Sequence, residues 1–79
     1  MSNKQFSERL NKELDEIGVP QRSDERIVVF SKLIKLPKFK AEAILTGNVV
    51  LEPQLLSLLA NELEVSEDWL VGKSDKRQN

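Results

Sequence analysis

Neither histidine nor cysteine occurs in the chain, which removes the commonest general base and metal ligand together with thiol catalysis, thiolate metal sites and disulfides. What is left to do chemistry is a run of cations. Arg26, Lys32, Lys35, Lys38 and Lys40 put five basic residues and no acidic one into residues 26–41. Cations at that density bind anions, a polyanion above all. The paired carboxylates Asp15-Glu16, Asp24-Glu25 and Glu67-Asp68 are neighbours in sequence, so they point to different sides of a helix, and surface or capping roles explain each. Ser23 and Ser66 read as helix caps and not as nucleophiles, because no base exists to activate them. No phosphate-binding glycine loop is present. The expectation is a protein that is not an enzyme and uses no cofactor and no metal.

The overall charge of −1 and a sequence pI near 5.4 argue, taken alone, against a nucleic-acid partner. The distribution argues otherwise. With five of the twelve basic residues inside 26–41, the remainder holds seven basic and thirteen acidic groups, or −6. Local field and not total charge steers a polyanion. Seventy-nine residues make one domain with a single small core. No apolar run approaches the roughly 18 residues of a membrane helix, and the N-terminus has no hydrophobic signal region. The expected location is cytoplasmic, with no membrane partner.

The elements that must position the cations are helices. Phe6, Leu10, Leu14 and Ile17 recur at helical spacing and predict a helix over 3–17, with Glu8, Arg9, Lys12, Glu13, Asp15 and Glu16 on its outer face and Glu8–Lys12 and Arg9–Glu13 pairs along it. Gly18 is its stop. Ser23 as N-cap, with Asp24 and Glu25 in the first turn, starts a helix over 24–34 whose inward stripe is Ile27, Phe30, Leu33 and Ile34. The β-branched run 27–30 also suits a strand, but the helical spacing continues beyond it. Pro37 fixes its own φ, lacks an N–H and disfavours α geometry at Leu36, so it ends that helix and opens the next, over 37–45. Ala41, Ile44 and Leu45 face inward there, Lys38, Phe39, Lys40 and Glu42 outward or toward the joint, and Gly47 is the stop. A helix over 53–63 carries Leu55, Leu56, Leu59, Ala60 and Leu63 and is expected to be the central core element. A short helix over 67–71 follows the Ser66 cap, and the polar residues 73–79 are expected to be a disordered tail.

The close of the chain, Val65, Ser66, Asp68, Trp69, Leu70 and Gly72 after a leucine-rich helix, resembles the end of helix-turn-helix domains of the lambda-repressor and Cro kind, the XRE family. Extended backward without a gap, the resemblance covers residues 6–72 and lays Gly47 on the family's glycine after the recognition helix, Ala41 on a buried position and Ser31 on a small residue. It implies an all-α fold, a bundle of five short helices. There are departures. Lys35 stands where the family usually has glycine in the turn, and Ile27 falls where a phosphate-touching polar residue is often found. The connection from Gly18 to the second helix is also longer than usual. Arg26 or Arg22 is the proposed substitute for the missing phosphate contact.

By position, the resemblance implies that the helix opened by Pro37 reads base edges in the major groove. Lys38 would donate to guanine, Phe39 would pack on a thymine methyl and Glu42 would accept from cytosine N4. Arg22, Arg26, Lys32, Lys35, Lys40, Thr46 and Asn48 are the candidates for phosphates. Each has a plainer alternative: the lysines as a solvated face, Phe39 as core at the joint, Glu42 as a partner of Lys38, Trp69 as core anchor or dimer contact. The function expected is a sequence-specific double-stranded DNA-binding transcriptional regulator, a homodimer joined through helix five and the connector of residues 49–51. The alternative is a protein-interaction module that keeps the fold and binds a protein partner, to which the acidic total, Lys35 at the turn, Ile27 and the apolar Phe39, Val49 and Val50 all lean.

Overall fold

Five helices and no strand make up the described residues, 3–77, of the computed structural model: α1 Lys4–Glu16, α2 Ser23–Ile34, α3 Lys38–Thr46, α4 Pro53–Leu63 and α5 Glu67–Leu70. The fold is an all-α bundle of short helices, and none of them is long and apolar enough to cross a membrane. Every helix contributes to one core. Its largest fully buried side chains are Leu10 and Leu14 of α1, Phe30 of α2, Ile44 of α3, Leu59 of α4 and Leu70 of α5. The core is therefore shared and not organised by α4, whose Leu55 and Leu56 are only half-buried and pack against its edge.

The helix ends follow from the backbone. Lys35 ends α2 in the left-handed conformation, φ 59°, which lets the Leu36 N–H reach the Ser31 carbonyl at 3.1 Å. Pro37 takes the N-cap position of α3, and its carbonyl accepts from the N–H groups of Lys40 and Ala41. Glu64 repeats the left-handed stop after α4, φ 56°. Ser66 caps α5 through its Oγ, which accepts from the Trp69 N–H at 3.4 Å. Ser23, expected to cap α2, is instead its first helical residue: Arg22 is the N-cap, and Ser23 makes no capping bond.

Four expectations on α1 are corrected. Ile17 lies past the helix and is exposed, while the loop's Val19 is buried in its place. Glu13 is buried and not on the outer face. The pair Arg9–Glu13 is absent because both residues turn to the C-terminal segment. Arg9 donates to the Trp69 and Ser74 carbonyls and stacks 5.1 Å over the Trp69 ring. Glu13 accepts from Arg77 at 2.9 Å. The expected pair Glu8–Lys12 is replaced by Lys4 with Glu8, one turn toward the N-terminus. Residues 73–77, expected to be a disordered tail, fold back across α1, and the Ser66 N–H donates to the Arg77 carbonyl at 2.7 Å. Arg9 on the Ser74 carbonyl, Arg77 on Glu13 and the Ser66 backbone bond hold this strap with few apolar residues, so composition alone hid it. Gln78 and Asn79 lie outside the described residues.

Candidate nucleic-acid interface

The basic segment folds as α2, a tight turn and α3. Lys32 lies in the last turn of α2, Lys35 forms the turn, and Lys38 and Lys40 lie in the first turn of α3. All four are exposed, and among the described residues none is within ion-pair distance of a carboxylate. Unneutralised cations on two adjoining helices make a surface that attracts polyanions. Phe39 stands among them with 75% of its surface in water, so it is not core at the joint. Glu42 is exposed one turn further on, and it is not paired with Lys38. The three residues singled out for base contact thus share the open side of α3.

The phosphate candidates divide. Thr46 and Asn48 are exposed at the far end of α3. The Thr46 hydroxyl donates to the Glu42 carbonyl at 3.0 Å, and Asn48 Nδ2 donates to Thr46 Oγ1 at 3.3 Å. One amide proton of Asn48 is left for a ligand. Arg22 is exposed and holds Asp24 at 3.0 Å, a surface pair weak enough for a phosphate to displace. Arg26 is the correction. It is buried, and its guanidinium is used up internally: Nε donates to the Pro20 carbonyl at 2.8 Å, Nη1 to Asn11, and Nη2 to the Val19 carbonyl and to Asp15. The residue holds the 17–22 loop onto α1 and α2 and has no donor for a phosphate.

Sequence reasoning missed Asn11, the polar hub behind α3. Its Nδ2 donates to the carbonyls of Ser7 and Leu45 at 2.8 and 3.1 Å, while its Oδ1 accepts from Arg26. Ser7 Oγ donates to the same Leu45 carbonyl at 2.6 Å, and the Asn3 N–H to the Gly47 carbonyl at 3.1 Å. These bonds form a seam between α1 and α3. Gly47 is required there: its φ is +79°, and a Cβ would sit 2.9 Å from the Asn3 carbonyl oxygen. The signal for Asn11 was one polar residue beside the apolar stripe of α1, which spacing alone cannot tell from a surface residue. In front of the seam, a shallow cavity of about 200 Å³ opens between Ser23, Arg26, Ile27, Glu42 and Thr46, with Ile27 where a phosphate-binding side chain was sought. Among the described residues no acidic cluster is arranged to hold a metal ion. No protein-family model, no curated protein and no solved structure matches the chain.

Proposed function

We propose that the protein is a sequence-specific, double-stranded DNA-binding regulator of transcription, of the helix-turn-helix kind, that presents α3 to the major groove. One observation carries this reading: Lys32, Lys35, Lys38 and Lys40 surround the α2–α3 joint, exposed and unpaired among the described residues, on a chain whose net charge is −1. Charge segregated in this way serves a polyanion better than it serves solubility. The likeness to the XRE family is supported by Lys35, at the turn position where the family usually has glycine, standing in the left-handed conformation that glycine adopts without strain, and by the Ser66 cap before Trp69. A gel shift with random duplex at low salt is the test. Retardation at micromolar protein that weakens steeply with salt is expected, and its absence overturns the reading.

A second reading, a protein-interaction module on the same scaffold, draws on Arg26 being locked inside and on Val50, 76% exposed in the connector beside Val49. Val49 itself is half-buried, its carbonyl accepting from Asn3 at 2.9 Å, which leaves a smaller apolar surface than the sequence suggests. The same connector is the dimer surface in the first reading. Sedimentation over a range of concentrations decides whether a dimer forms.

A further inference from the structure

We infer that Phe39 and Glu42 together select a 5-methylcytosine in duplex DNA, an inference that rests on the DNA-binding reading above. Phe39 is the most solvent-exposed aromatic side chain the described residues offer, at 75%, and it lies between the exposed, unpaired Lys38 and Lys40. Glu42 lies three residues on, hence on the same side of α3, and among the described residues no cation lies within ion-pair distance of its carboxylate. A carboxylate brought toward phosphates is repelled unless it finds a donor. The major groove has two kinds, the amino groups of cytosine N4 and adenine N6. A phenyl ring in the same groove gains from a methyl group at pyrimidine C5. The base that carries both on adjacent ring carbons is 5-methylcytosine. Cytosine has the amino group without the methyl, and thymine the methyl without the amino group. In an A·T pair, thymine O4, an acceptor, lies between the adenine amino group and the methyl, where it repels a carboxylate that accompanies the ring.

Selection from two random duplex pools, one made with deoxycytidine and one with 5-methyldeoxycytidine throughout, tests this. The best duplex is then measured by fluorescence anisotropy with 5-methylcytosine, cytosine or thymine at the contacted position. The methylated duplex is expected to bind roughly fivefold tighter than the cytosine duplex and at least tenfold tighter than the thymine duplex. Phe39→Ala should bring the ratio of methylated to unmethylated affinity to about one, and Glu42→Gln should close most of the gap to thymine, circular dichroism confirming that both variants fold. Duplex binding that ignores C5 methylation at every position, or that prefers thymine, overturns this inference and leaves the DNA-binding reading standing. Failure of both pools to bind at low salt overturns both.

Discussion

The guanidinium of Arg26 on α2 is seated against the Asp15 carboxylate of α1, and it also donates to the carbonyls of Asn11, Val19 and Pro20. The ion pair closes the loop between the two helices. Because Arg26 is buried while Asp15 stays partly in water, most of the loss on truncation falls on carbonyls left without donors. Arg26→Ala should cost about 3 kcal/mol in urea unfolding. Arg26→Lys should recover only part, since an ammonium cannot present the planar fork that serves these acceptors. An unchanged unfolding midpoint would contradict the structural role.

Stability and binding should move in opposite directions at Lys35. Its left-handed backbone costs an L-residue about 1 kcal/mol relative to glycine, offset partly by glycine's greater unfolded entropy. Lys35→Gly should therefore raise stability by up to about 0.5 kcal/mol while it weakens binding to all duplexes alike. The slope of log K against log salt should fall by roughly 0.9. Equal slopes for both proteins would place Lys35 outside the interface.

Glu13 and Arg77 should be coupled. The Glu13 side chain is only 6% exposed and Arg77 is half in water, so the pair is a buried carboxylate held by a surface cation. Arg77→Ala should destabilise by about 1 kcal/mol, most of it the cost of leaving Glu13 unpartnered. Glu13→Gln should reduce that penalty, since a neutral amide is cheaper to leave unpaired. A double-mutant cycle by thermal unfolding measures the coupling, and strict additivity would mean that the strap is not held by this contact.

In the proposed reading, Lys38 and Lys32 should separate base reading from phosphate attraction. Lys38→Ala should cost about 1 to 3 kcal/mol on the selected duplex and little on random sequence, and Lys32→Ala should weaken both equally. Anisotropy titrations on the two duplexes distinguish them. Identical losses for both variants would assign Lys38 to the backbone too.

The helices were legible because their signals are local. The apolar spacing of Phe6, Leu10 and Leu14, the proline at 37, and Gly47 each act within a turn or two, and the structure places elements where those residues do. Arg26 misled because its partners lie across a loop. Asp15 is eleven residues away, and nothing in the order of residues says that the loop will bring its carbonyls round a guanidinium. The strap formed by residues 73–77 stayed hidden for the same reason, its contact to Glu13 spanning 64 residues. Exposure of the candidate contacts on α3 followed directly, because Ala41, Ile44 and Leu45 already claim the inner side.

In the proposed DNA-binding reading, the seam between α1 and α3 bears on whether the protein or the duplex must yield when α3 enters the groove. Ser7 and Asn11 hold the Leu45 carbonyl, and Asn3 holds that of Gly47, so the end of α3 is fixed from behind by donors of α1 and of its N-cap residue. A helix mounted at that end has little freedom to roll or tilt toward a ligand. If the partner is a duplex, as proposed, induced fit should fall to the DNA, and sites whose steps bend cheaply should gain affinity at base pairs that no side chain touches.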